Sequence, residues 1–109
     1  MFVGDELIRG ETVNTHAAYL GASLAEEGIP VDRAVTVGDD AERLAEVLRE
    51  ALARAQLVVC TGGLGPTRDD PTREAVAAAT GRRLVLHPPA LEELRAYVQR
   101  RGIPWSENQ

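Results

Sequence analysis

The chain has no lysine and only one cysteine among its 109 residues, and its aromatic residues are one phenylalanine, two tyrosines and one tryptophan. Without lysine it cannot carry the Gly-Lys-Ser/Thr signature of a P-loop. The single Cys60 cannot form an internal disulfide, and its apolar neighbours predict an inert thiol in a reducing compartment. Tyr19, Tyr97 and Trp105 are too scattered to predict a platform for stacking nucleic-acid bases.

An excess of positive charge and long apolar runs are also missing. The formal net charge is -5 at pH 7, and the 12 arginines form no basic block. Because nonspecific nucleic-acid binding needs concentrated positive charge, we expect no nucleic-acid partner. No stretch has the length of a membrane span, and the amino end has no signal-peptide pattern, so we predict a cytoplasmic protein without a membrane partner.

What remains is an ordinary globular composition with 44% hydrophobic residues, which predicts a single domain over residues 1–109. Strand-like and helix-like segments alternate along the chain. Such alternation is typical of an α/β fold, in which a mostly parallel sheet has helices on both faces in three layers. The predicted strands are residues 1–3, 30–37 and 56–61, with an extended edge piece at 83–87 and a tail at 102–109; the predicted helices are 14–27 behind an Asn14 cap, one along Leu44–Leu52, 72–80 closed by Gly81, and 89–101.

A glycine-rich loop follows the third predicted strand. Gly62, Gly63 and Gly65 lie between that strand and a helix that starts near Asp70 and Pro71. Backbone N–H groups beside glycines can approach a phosphate, and a helix N-terminus favours an anion, so the loop predicts an anion cradle. A structural alternative stays open, because glycines also serve ordinary turns and an Asp-Pro pair can simply cap a helix. The spacing is not that of a dinucleotide-binding GxGxxG loop.

Acidic pairs follow each of the three predicted strands. Ligands of parallel sheets bind beyond the carboxyl ends of the strands, so we expect these pairs to share one edge with the glycine loop. Carboxylates beside a bound phosphate imply a metal ion or a proton-transfer role. A capping role for the second pair remains open, since Asp39 with Glu42 has the form of a capping box. The pairs are Asp5 with Glu6, Asp39 with Asp40, and Asp69 with Asp70.

Other reactive side chains lack a supporting pattern. His16 and His87 have no second ligand at zinc spacing, so both are interpreted as surface or packing residues. Ser23 and Ser106 lack the context of a nucleophile elbow, which argues against acyl transfer.

Four motifs together resemble a known family. GDEL at 4–7, VNT at 13–15, TVGDD at 36–40 and TGGLGPTRDD at 61–70 closely resemble the amino-terminal domain of the CinA (competence/damage-inducible) proteins. That domain belongs to the molybdopterin-binding superfamily, together with the MoaB and MogA proteins of molybdenum-cofactor biosynthesis. The resemblance covers nearly the whole chain and implies the MogA-like three-layer fold.

The resemblance implies two alternative functions. CinA-like domains are associated with metal-dependent hydrolysis of ADP-ribose to AMP and ribose 5-phosphate, whereas MogA-like relatives transfer adenylate to molybdopterin. Carried over by position, Asp39 and Asp70 match the catalytic and metal-binding acids. The ligand-binding positions are Thr61, Gly62, Gly63, Gly65, Asp69, Asp5 and Glu6. The implied cofactors are a divalent metal such as Mg²⁺ and, in the second case, molybdopterin; a noncatalytic module that binds a nucleotide or pterin is a further alternative.

Two departures from the family pattern concern the ends of the chain. The family has a fuller first strand than residues 1–3, and residues 106–109 resemble the middle of the family domain. The resemblance therefore implies a partial domain without the downstream elements or the deamidase domain that often follows. An unpaired sheet edge in such a piece predicts a homo-oligomer.

Overall fold

The computed structural model describes residues 1–67 and 69–105, so Arg68 of the glycine-loop motif and residues 106–109 of the predicted tail lie outside the described residues. Two helices follow the first short strand and three helices follow the second. The elements are β1 Phe2–Val3, α1 Asp5–Ile8, α2 Thr15–Glu26, β2 Thr36–Val37, α3 Ala41–Arg54, α4 Thr72–Thr80 and α5 Pro88–Arg101.

The two strands form a parallel sheet in which Phe2 lies opposite Thr36 and Val3 opposite Val37. An extended segment ending at Thr61 pairs with the other edge of β1. There the Met1 nitrogen donates to Val59 O at 2.7 Å and Val3 N–H donates to Thr61 O at 2.9 Å. The predicted α/β class is confirmed, and three chain segments run parallel, whereas the three-layer sheet stays a prediction.

A small core lies between the sheet and the helices α3 and α4. Leu44 is fully buried, and Ala45 and Leu48 lie beside it on the same face of α3. This face follows from apolar residues spaced three and four apart. Val37 of the sheet and Ala75 of α4 complete the contact. The helix predicted along Leu44–Leu52 is confirmed, although Leu52 at its end remains 47% exposed.

The predicted helix ends are confirmed where local chemistry determines them. The Asn14 side chain accepts a hydrogen bond from Ala17 N–H at 3.1 Å and so caps α2. Gly81 follows α4 with φ +65°, the left-handed conformation that favours glycine at this place. Neither α2 nor α5 buries much of its apolar side, since α2 has no fully buried residue and α5 has only Val98.

Several predicted elements are shorter than expected or absent. The strand predicted for 30–37 is wrong before Thr36, because residues 30–34 are exposed and the pairing begins where Val35 O accepts from Phe2 N–H. The segment 56–61 is half-buried only from Val58 onward. The predicted edge piece 83–87 forms no strand in the described structure, and Leu84, Val85 and Leu86 are exposed.

One element was missed, because α1 is a single turn of four residues that has no apolar periodicity. Among residues 1–67 and 69–105, no helix is both long and apolar enough to cross a membrane. Burial raises the pKa of the Cys60 thiol, which agrees with the predicted inert character.

Candidate functional site

The carboxyl ends of the three parallel segments meet at one edge of the sheet. Gly4 N–H donates to Val37 O at 3.0 Å, which joins the ends of β1 and β2. On the other side of β1, a Cβ atom at Gly62 would overlap the carbonyl oxygen of Val3, so the glycine loop passes directly against the end of β1. The structure thus places Asp5, Asp39 and the glycine loop at the same edge, as the sequence predicted.

Asp5 and Asp39 are joined by a pair of reciprocal hydrogen bonds. Asp5 N–H donates to Asp39 Oδ2 and Asp39 N–H donates to Asp5 Oδ1, each at 3.0 Å. Gly38 permits this approach, because a Cβ atom there would overlap Asp5 Oδ1. The capping role left open for the second acidic pair is confirmed for Asp40, which accepts from Arg43 N–H at 2.8 Å, and is wrong for Asp39.

The two carboxylates of this pair differ in what remains available for a ligand. Asp5 uses Oδ1 for Asp39 and Oδ2 for Arg9, whose guanidinium donates at 2.8 Å. The N–H of Asp39, and then Arg9, hold the pKa of Asp5 below its ordinary value. Asp39 Oδ1 has no hydrogen-bond partner within the described ranges. Asp39 is therefore the carboxylate with an available oxygen.

The buried Thr72 holds the glycine loop against the start of α4. The Thr72 hydroxyl donates to Gly62 O at 2.8 Å, and its N–H donates to Gly63 O at 3.1 Å. These contacts direct the two carbonyl groups toward the protein. Within residues 1–67 and 69–105, no acceptor is assigned to the N–H groups of Gly62, Gly63 and Leu64. This leaves three donors, on a half-exposed loop, for an anionic ligand.

Asp70 does not cap α4, and that prediction is wrong. Pro71 occupies the cap position and no side chain caps this helix. Asp70 instead closes the preceding loop, because its Oδ2 accepts from both the N–H and the hydroxyl of Thr67. The Thr67 hydroxyl, followed by the Thr67 and Gly65 N–H groups, lowers the pKa of Asp70. Asp70 thus stabilises the loop that carries the open N–H groups.

The remaining predicted residues lie around this edge with fewer partners. Glu6 and Asp69 are exposed, one on α1 and the other in the turn before Asp70. Thr61 is half-buried at the start of the glycine loop, and its hydroxyl lies 3.4 Å from Nδ1 of His16. The sequence indicates only a surface or packing role for His16, since no second ligand lies at zinc spacing. Its contact with Thr61 spans 45 residues, and no motif joins the two.

The site does not contain a preformed metal cage. No group of three or more His, Cys, Asp or Glu side chains in the described part of the chain could hold a metal ion. The neighbouring Asp5 and Asp39 carboxylates are fewer ligands than a protein-only site requires. Because both Asp5 oxygens are engaged within the protein, Asp39 is the carboxylate that could hold an ion such as Mg²⁺, which takes one or two carboxylates and completes its shell with water and ligand phosphates.

Comparison with known proteins identifies the family. A family model described as "Probable molybdopterin binding domain" matches residues 1–105. A "CinA-like protein" of Chlorobium phaeovibrioides is 49% identical over 105 residues, which are 96% of this chain and 24% of that protein. The chain belongs to the molybdopterin-binding domain family, among its CinA-like members.

A solved CinA structure has the same fold. The crystal structure of the protein CinA from Thermoplasma acidophilum matches with a TM-score of 0.81 and 43% identity, over 84% of this chain and 56% of that one. A protein of Aeropyrum pernix is 51% identical over 97% of this chain and 40% of its own length. The chain thus spans 24% and 40% of the length of the Chlorobium and Aeropyrum relatives and 56% of the solved CinA chain.

Proposed function

We propose that this edge of the sheet binds a nucleotide pyrophosphate and hydrolyses it, with ADP-ribose as the substrate and AMP and ribose 5-phosphate as products. One observation carries the proposal: the open N–H groups of Gly62, Gly63 and Leu64 lie at the same strand ends as the Asp39 carboxylate. Backbone donors bind phosphate, and a carboxylate beside them can orient a water molecule toward phosphorus. Phosphoanhydride cleavage needs mainly charge neutralisation and positioning, which such groups supply.

In the proposed reaction a water oxygen bonds to one phosphorus while the bridging P–O bond breaks. Asp39 Oδ1, the oxygen without a partner in the described structure, is positioned to accept a proton from that water. The glycine-loop N–H groups bind the phosphate oxygens. A divalent ion bound with the substrate would be held by Asp39 and would neutralise charge on the phosphates. Asp70 is proposed to act with Asp39, although its contacts to Thr67 give it a structural role as well.

A module that binds a nucleotide or molybdopterin without hydrolysing it, or that transfers adenylate, is the second candidate. Two observations favour binding alone. The described residues contain no group of three metal-ligating side chains. In addition, both Asp5 oxygens are engaged within the protein, so the site has one carboxylate fewer for a metal ion than the sequence suggested. The phosphate-binding loop is common to both candidates, and they differ in whether Asp39 supports turnover.

Calorimetric titration with ADP-ribose, with and without Mg²⁺, and chromatographic measurement of AMP separate the candidates. We expect binding and Mg²⁺-dependent release of AMP, with release lost in Asp39→Asn. Asp32→Asn is the matched control, because Asp32 is exposed in the segment before β2. Binding without AMP release would favour the noncatalytic module. Absence of any binding to ADP-ribose would contradict the proposed hydrolase.

A further inference from the structure

The helix α2 brings a histidine to the amino end of the glycine loop. The Asn14 cap fixes the first turn of α2, and His16 is the second residue of that turn. Its Nδ1 lies 3.4 Å from the Thr61 hydroxyl, and Thr61 directly precedes Gly62. The imidazole is exposed. It is therefore available both to Thr61 and to a molecule bound on the loop.

We propose that His16 contacts the ligand, donating a hydrogen bond from Nε2 to a phosphate oxygen of the molecule held by the Gly62–Leu64 N–H groups. The inference rests on the proposed function, since it assigns a further contact to the same ligand. A neutral imidazole has one donor nitrogen and one acceptor nitrogen. When the Thr61 hydroxyl donates to Nδ1, the ring proton resides on Nε2, which then serves as the donor.

The negative charges at this edge of the sheet oppose phosphate binding, so a further hydrogen-bond donor to the phosphate would strengthen it. A phosphate ligand approaches the carboxylates of Asp5 and Asp39, and like charges repel. Arg9 is engaged by Asp5 and Glu11, whereas Arg73 donates from Nη2 to Gly65 O at 3.1 Å, at the far end of the loop. Among the described side chains that contact the glycine-loop segment, both Arg73 and His16 retain nitrogens with no assigned partner, and His16 is the one beside Thr61 at the amino end of the loop. The His16 nitrogen adds a donor at the end of the loop opposite Arg73.

NMR of the imidazole groups tests this contact directly, because the chain contains only two histidines. His87 is the internal reference, since it caps α5 by accepting from Ala90 N–H. We expect addition of ADP-ribose, and of inorganic pyrophosphate, to shift the His16 ring signals together with the amide signals of Gly62–Leu64. The His87 signals should stay in place.

Variants give a second measurement of the same contact. His16→Phe keeps a ring but removes the donor, and we expect its Kd for ADP-ribose to rise about tenfold or more, as for loss of a hydrogen bond to a charged group. His16→Gln, which can still donate, should recover part of the affinity. His87→Asn, which preserves a capping oxygen, is the matched control and should bind as the parent protein does.

The outcomes separate this inference from the function on which it rests. Shifts of the Gly62–Leu64 amides without any change at His16, or an unchanged Kd in His16→Phe, would overturn the histidine contact and leave the phosphate loop intact. If neither the amides nor His16 respond to ADP-ribose or pyrophosphate, both the contact and the proposed function are overturned.

Discussion

Replacement of Gly62 by alanine tests the close contact between the glycine loop and β1. Gly62 has φ +91°, where an L-residue is strained by about 1–2 kcal/mol. The new Cβ would overlap Val3 O and would lie 3.1 Å from Val3 C and 3.3 Å from Val3 N. Val3 is a buried strand residue with little room to move, and such overpacking costs about 1–3 kcal/mol. The total expected loss is about 2–5 kcal/mol.

Gly28→Ala is the matched control for this experiment. Gly28 also has a positive φ, +73°, but a Cβ atom there would meet no atom within 4 Å. Both variants carry the backbone strain and the same change in unfolded-state entropy, so the difference between them reports the contact with Val3. Urea unfolding followed by circular dichroism measures both. Equal losses of stability would refute the close approach of the loop to β1.

Three further predictions concern the core, the loop and the pH dependence. Leu44→Ala should lose about 2–5 kcal/mol of unfolding free energy, because Leu44 is fully buried, whereas Leu52→Ala on the same helix should lose far less; similar losses in urea unfolding would contradict the assigned core. Asp70→Asn should keep its circular dichroism spectrum, since an amide oxygen can still accept from Thr67, but should lose AMP release; release at the parental rate would argue against a catalytic Asp70. The pKa values of Asp5 and Asp70 are lowered in the folded state, so the stability they contribute is present above the ordinary carboxyl pKa of about 3.9 and is lost as the pH falls through the folded-state values. The urea midpoint should therefore fall with acidification below about pH 4, and it should fall less in a variant with asparagine at both positions; an identical acid response in that variant would contradict the assigned hydrogen bonds.

Elements determined by nearby residues could be predicted from the sequence. The helices α3 and α4 follow from apolar spacing and from Gly81, and α2 begins at the cap that Asn14 predicts. The segment 83–87 shows the limit of this reasoning. Its apolar residues favour a strand, but a strand forms only where another segment supplies hydrogen bonds, and the described residues supply none there.

The sequence predicted where the candidate site lies, at the carboxyl ends of the parallel strands, but not which residues contact one another there. Acids that follow parallel strands converge by topology, so the proximity of Asp5 and Asp39 followed from the pattern. The pattern could not show which of Asp39 and Asp40 caps α3, because two adjacent carboxylates are equivalent in sequence. The position of Asp5 N–H in the folded protein decides between them. The contact between His16 and Thr61 depends on how α2 lies beside the sheet, which no local signal reveals.

Titration of ¹⁵N-labelled protein with ADP-ribose in the presence of Mg²⁺ tests the central claim most directly. The claim predicts that the amide signals of Gly62, Gly63, Leu64 and Asp39 shift together with a single affinity, while those of α5 stay unchanged. Shifts confined to α5, or an unchanged spectrum at saturating ADP-ribose, would contradict a phosphate site at the ends of the parallel strands.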